Sequence, residues 1–200
     1  GVLDYRFNNL DVLRAERGCL VIANHPSLLD YVLLASVMNE TDCLVKSALL
    51  RNPFVSGVIR AADYLINSEA DTLLAASQQR LAQGDTLLIF PEGTRTRVGE
   101  AMTLQRGAAN IAVRCNSAVR VVVIHCSERM LDKQSSWYNV PPNKPVFTVD
   151  VRERINIHDF YDASQHEPAL AARQLNRHMQ HQLITGLQSL SGTKDASALS

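Results

Sequence analysis

Gly18-Cys-Leu-Val-Ile-Ala23 is an unbroken apolar run that starts at a glycine and stops at Asn24. A short run with no polar alternation is the profile of a strand buried on both faces, which is how strands of parallel sheets read. Further short runs follow at Leu44-Val45, Tyr64-Leu65-Ile66, Thr86 to Phe90 and Val119 to Ile124. Helical stretches separate them. One is expected from about Ser27 to Met38. A second starts at the Ser68/Asp71 capping box, carries Leu73, Leu74 and Leu81 at helical spacing, and stops at Gly84. A third is expected from about Gln105 to Arg114. Strands alternating with helices demand right-handed crossovers and a mostly parallel central sheet flanked by helices on both faces, an α/β fold. Phe147 to Val151 alternates and reads as an edge strand. Leu175, Met179, Leu183, Leu187 and Leu190 form one stripe of a last helix. The 200-residue length fits one domain, expected over 1–190, with a small polar tail at 191–200 expected to be disordered.

Open parallel sheets place their chemistry at the carboxyl ends of strands. Two polar clusters fall there: Asn24-His25-Pro26-Ser27-Leu28-Leu29-Asp30, and Pro91-Glu92-Gly93-Thr94-Arg95 after Phe90. In a parallel sheet both share one rim. Five helical steps of about 100° would hold His25 and Asp30 apart. They meet only if His25 lies in the turn before the helix, and Pro26 favours that, being tolerated at a helix start and disfavouring α conformation in the residue before it. Asp30 then accepts from one ring nitrogen and leaves the other as a base. Ser27 and Asp30 also fit a second capping box with His25 an ordinary loop residue, and both readings can hold together. In the other cluster Glu92 can hold a hydroxyl, Arg95 offers a planar fork for phosphate or carboxylate, and Gly93 allows close backbone approach. Arg106 and Gly107 follow at a helix start, where free N–H groups favour anions. A solvated loop with ordinary surface charges is the alternative for this cluster.

The two blocks, in this order and at this separation, resemble the N-H-x-x-x-x-D and F-P-E-G-T-R blocks of the glycerolipid acyltransferases, and Arg106-Gly107-Ala108 is similar to the segment that follows them. The resemblance covers roughly residues 15–130. It implies an O-acyltransferase of the lysophosphatidic acid type, with an acyl-CoA or acyl-carrier-protein thioester as donor, a (lyso)phospholipid or related lipid as acceptor, and no cofactor. It implies His25 as general base, Asp30 as its orienting partner, and Glu92, Gly93, Thr94 and Arg95 at the acceptor site. Two departures bear on the acceptor. Tyr64-Leu65-Ile66-Asn67-Ser68 lacks the arginine of the family's second block, and Arg120 stands in the valine-rich strand where the fourth block carries a proline. Either phosphate binding is rebuilt with Arg60 or Arg120, or the acceptor is not a lysophosphatidate. The stretch Cys43 to Phe54 with Ile59-Arg60-Ala61-Ala62 is similar to a bacterial branch of aryl-polyene-like pathways, which would favour an acyl-carrier-protein donor.

Net charge is zero, which argues against a nucleic-acid partner. Cys19, Cys43, Cys115 and Cys126 form no C-x-x-C pair and read as reduced core cysteines. Leu28 to Met38 is far shorter than the ~20 residues that span a bilayer. No signal peptide is visible, and a chain opening on Gly1 is expected to have lost an upstream segment. The expected location is cytoplasmic, peripheral on the inner face of the membrane. Ala48 to Ile59 is the candidate membrane-facing stretch, and the aromatic and basic loop Lys133 to Lys144 a candidate anchor or lid; core packing and a plain surface loop explain them equally well. His125 beside Cys126 reads as structural, lacking a second ligand at metal spacing. A lipid-binding module without catalysis and a phospholipid transacylase are the competing functions. Backbone N–H groups near Gly93 or Ser27 are the expected oxyanion donors.

Overall fold

The computed structural model describes residues 3–27, 29–38, 41–46, 65–67, 70–93, 101–128, 141–163 and 167–197. The expectations on Arg60, Thr94, Arg95, Ser68, Ala48 to Ile59 and residues 129–140 lie outside these. Strands β1 (Asp4–Asn8), β2 (Leu20–Ala23), β3 (Thr41–Lys46), β4 (Leu65–Asn67), β5 (Thr86–Ile89), β6 (Val119–Cys126) and β7 (Val146–Ile155) form one sheet in the order β1-β7-β6-β2-β5-β3-β4. Every neighbouring pair is parallel except β6 and β7. Helices α1 (Leu10–Ala15), α2 (Asp30–Ala35), α3 (Ala70–Gln83), α4 (Gly107–Arg114) and α5 (Pro168–Ser197) cover it.

Side-chain alternation along the buried strands divides the core in two. Leu20, Ile22, Leu87, Ile89, Val121 and Val123 point to the face covered by α3, α4 and α5. Val21, Ala23, Leu88, Val122 and Ile124 point to the other face, beneath Leu13 of α1 and Leu34 of α2. Both faces of β2 and β5 are therefore dry, and their apolar runs need no polar alternation.

Three expectations are corrected. Phe147 to Val151 lies inside the sheet, between β6 and β1, because the edge is taken by β1. β1 escapes a reading by pattern because its residues are almost all exposed. Helix α2 starts at Asp30 rather than Ser27, since the preceding residues form a turn tied to the Asp30 carboxylate. Helix α5 runs on through 191–197, where a disordered tail was expected; no proline interrupts that segment, so the helix can propagate.

Candidate active site

β2 and β5 are parallel neighbours in the register Leu20↔Leu87 to Ile22↔Ile89, so both chains leave the sheet on the same rim. This brings the two polar clusters together. Asn24 is buried, and its side-chain amide donates to the Ile124 carbonyl and accepts from the Ile124 N–H, each at 2.7 Å. His25 follows in the turn. Its Nδ1 lies 3.0 Å from Asp30 Oδ2, with the His25 side chain 18% exposed and that of Asp30 fully buried. The ring packs on Phe90, centroids 4.5 Å apart and tilted by 30°.

Asp30 Oδ2 also accepts the Ser27 N–H at 2.7 Å, and the Ser27 hydroxyl accepts the Leu29 N–H at 3.3 Å. The carboxylate therefore ties the turn and orients the imidazole with one oxygen, while α2 starts at Asp30 with no side-chain cap, so Ser27 and Asp30 do not form the expected capping box. An ionised carboxylate only accepts, so Nδ1 carries the proton and Nε2 is the basic nitrogen. Among the described residues Nε2 has no hydrogen-bond partner, and the ring lines a cavity of about 260 Å³.

Glu92 comes from the β5 side. It is 6% exposed, and its Oε1 accepts the His25 backbone N–H at 2.8 Å. Gly93 has φ 68° and donates its N–H to the Phe90 carbonyl at 3.0 Å. A Cβ there would collide with the Gln105 side chain, and Gln105 donates its N–H to the Pro91 carbonyl at 2.8 Å. The left-handed backbone favours glycine here, and an added Cβ would also require the flexible end of the Gln105 side chain to shift. The Gly93 N–H is engaged by the Phe90 carbonyl and the Ser27 N–H by the Asp30 carboxylate.

Met102 and Leu187 close the apolar side of the cavity, and His125 lines it together with Glu92 and Pro26. From sequence alone His125 reads as structural; its presence on the rim follows from β6 lying beside β2, which no local pattern reveals. Asn24 and Phe90 are likewise partners that residue type alone did not single out. The one available signal was an asparagine closing a buried strand, since its amide matches a peptide group in donor and acceptor.

Arg106 is exposed and precedes α4, outside the hydrogen bonds that join His25, Asp30 and Glu92. Arg120 corrects an expectation. It lies at the start of β6, paired in register with Val21, at the opposite end of the strand from His125. Its guanidinium binds Glu16 Oε1 and donates to the Arg152 carbonyl at 2.8 Å. It cannot serve a ligand at the His25 rim. Among the described residues no group of three or more His, Cys, Asp or Glu is arranged to hold a metal ion, and no helix is long and apolar enough to cross a membrane.

A family model described as Acyltransferase matches residues 4–127. The chain is 30% identical over 112 residues to the 1-acyl-sn-glycerol-3-phosphate acyltransferase of Helicobacter pylori, covering 52% of this chain and 47% of that protein. It is 26% identical over 132 residues to the enzyme of that name from Pseudomonas aeruginosa, covering 63% and 51%. To the human 1-acyl-sn-glycerol-3-phosphate acyltransferase beta it is 29% identical over 143 residues, covering 68% and 48%. The chain spans about half the length of these curated relatives. Its fold is similar to the crystal structure of the 1-acyl-sn-glycerophosphate (LPA) acyltransferase PlsC from Thermotoga maritima, with TM-score 0.66 and 20% identity over 94% of this chain and 73% of that one.

Proposed function

Because the chain belongs to the acyltransferase family, we propose that it transfers a fatty acyl group from a thioester to a hydroxyl of a glycerophosphate lipid, with His25 as general base. The hydrogen bond between His25 Nδ1 and the buried Asp30 carboxylate carries this reading. It leaves Nε2 basic and facing a cavity, which is the base half of a triad whose nucleophile is the substrate's own hydroxyl.

In this reading the acceptor hydroxyl gives its proton to Nε2 as its oxygen bonds to the thioester carbonyl carbon. Asp30 stabilises the imidazolium that forms. The tetrahedral intermediate collapses, the carbon–sulfur bond breaks, and Nε2 returns the proton to the leaving thiolate. The step calls on no metal or organic cofactor. Acyl-CoA and acyl-carrier-protein are both suitable donors. An acceptor phosphate would be met by Arg95 and Arg60, with Arg106 at the start of α4 nearby in sequence and the Thr94 hydroxyl available to an acceptor oxygen. A lipid acceptor calls for work at a membrane surface, expected to be the cytoplasmic face.

Thiol release from acyl-CoA and from acyl-carrier-protein, with and without lysophosphatidic acid, tests the reading. His25→Ala is expected to lower turnover by about 10²–10⁴-fold while leaving thermal unfolding in place. Turnover retained in His25→Ala would sink the assignment. Phospholipid serving as the only competent donor would replace it with a transacylase, and lipid binding without thiol release would replace it with a binding module.

A further inference from the structure

We infer that Asn24 and Glu92 are positioning residues for His25: Asn24 anchors the chain to β6 one residue before it, and Glu92 acts through the His25 amide. The inference deepens the acyl-transfer reading and rests on it for its kinetic consequence.

The argument begins with the sheet register. β2 pairs with β6 from Leu20↔Val119 to Ala23↔Val122, and with β5 from Leu20↔Leu87 to Ile22↔Ile89. Were β2 to continue in this register, its next residues would take up the ladder bonds of Ile124. They do not. The Asn24 side chain supplies both bonds instead, donating to the Ile124 carbonyl and accepting from its N–H at 2.7 Å. A primary amide reproduces the donor and acceptor of a peptide group, so β6 stays satisfied while the main chain of β2 is released before His25. On the opposite side the same exchange takes place. The His25 N–H donates at 2.8 Å to Oε1 of Glu92, a side chain, where a continuing strand would have used a β5 carbonyl.

Two side chains thus replace the ladder at adjacent residues, the Asn24 amide toward β6 and the Glu92 carboxylate at the His25 N–H. Asn24 is 3% and Glu92 6% exposed, so neither bond competes with bulk water. The imidazole is then fixed at three points: its main chain by these bonds, its face by Phe90, and its Nδ1 by Asp30. A general base acts only over hydrogen-bond distance, and a displacement of ~1 Å can cost about 10²-fold in rate.

The test uses Asn24→Ala, Glu92→Ala and Glu92→Gln in the full chain, with two readouts: kcat and KM for thiol release, and NMR amide hydrogen exchange at His25 and Ile124. Each alanine variant is expected to lower kcat about 10- to 100-fold with both KM values within about threefold. Exchange should quicken at least about tenfold at His25 in Glu92→Ala and at Ile124 in Asn24→Ala. Glu92→Gln still offers a carbonyl oxygen to the His25 N–H, and should restore protection and most of kcat. A raised acceptor KM with unchanged kcat in Glu92→Ala would overturn the inference, as would Glu92→Gln no better than Glu92→Ala. If Asn24→Ala does not fold, the Glu92 pair decides. If wild type releases no thiol with any acceptor, the acyl-transfer reading fails, and unchanged His25 exchange in Glu92→Ala separately overturns the positioning role.

Discussion

At the rim opposite His25, Glu16 is 4% exposed at its side chain and gathers three partners. Arg120 donates to Oε1, Arg154 lies 3.4 Å from Oε2, and the Cys19 thiol donates to Oε2 at 3.1 Å. Burial pushes the Cys19 thiol up from 9.0 to about 12, and the hydrogen bond and charge of Glu16 add to the effect. The sign follows directly. The unfolded chain loses this proton near pH 9 and the folded chain holds it until about 12, so the folded state binds more protons in between. The contribution to stability is complete below pH 9 and drains away as pH rises toward 12, at no more than about 1.4 kcal/mol per pH unit. Cys19→Ala should therefore flatten the fall of Tm between pH 9 and 11. In native protein at pH 8 iodoacetamide should modify the half-buried Cys115 and Cys126 while sparing Cys19, and labelling of Cys19 at their rate would contradict the burial. The same cluster explains why Arg120 misleads as a sequence signal. An arginine inside a valine-rich strand resembles a ligand-binding residue, and only the register shows that it answers a buried carboxylate. His25 and Asp30, by contrast, were legible because Pro26 restricts the turn and the partner lies five residues away, within reach of purely local reasoning.

Elements were legible in proportion to their burial. β2 and β5 are dry on both faces and β6 is dry through its middle, so all three announce themselves as apolar runs, whereas β1 shows solvent nearly everywhere along its length and carries no such pattern. The position of β7 beside β1 was hidden for the same reason. Helix α5 was visible through its leucine stripe, but its closeness to the sheet was not. At Gly186 an added Cβ would lie 2.5 Å from Val123 Cγ2 and 3.1 Å from Arg152 Nε, and Val123 is fully buried, with no room to turn away. Gly192, on the same helix, has nothing within 4 Å. The two glycines should answer alanine with opposite signs. Gly192→Ala gains helix propensity of up to about 1 kcal/mol. Gly186→Ala gains the same but forces the helix off β6, at a cost of roughly 1–3 kcal/mol. Thermal unfolding of the pair, at about 2–4 °C per kcal/mol for a chain of this size, distinguishes the outcomes; a higher Tm for Gly186→Ala would mean that α5 packs more loosely than described.

Across the whole molecule, the sheet is completed by a pairing between residues far apart in the chain, Asp4 with Val146. β1 covers the outer edge of β7, whose Phe147, Val149 and Val151 belong to the core beneath α1 and α2. Removing residues 1–8 would leave that edge with unpaired backbone groups, and such edges recruit other chains. The shortened protein should scatter light at concentrations where the full chain remains clear, and equal solubility would show that β1 is dispensable. Long-range placement also explains which parts of the site escaped sequence reasoning. The junction of Asn24 with Ile124 and the arrival of His125 beside His25 depend on the β2–β6 pairing, which no window of sequence contains. The single antiparallel pair has a practical consequence. Because β7 runs against β6, β1 starts on the His25 rim, and α5 climbs back from the far rim until Leu187 lines the cavity. Both described ends of the chain therefore emerge on the His25 rim. Immobilisation through either end would turn that rim toward the support and, in the proposed acyl transfer, throttle access for bulky donors, whereas attachment through an exposed side chain of the far rim, such as Arg154, would leave it open.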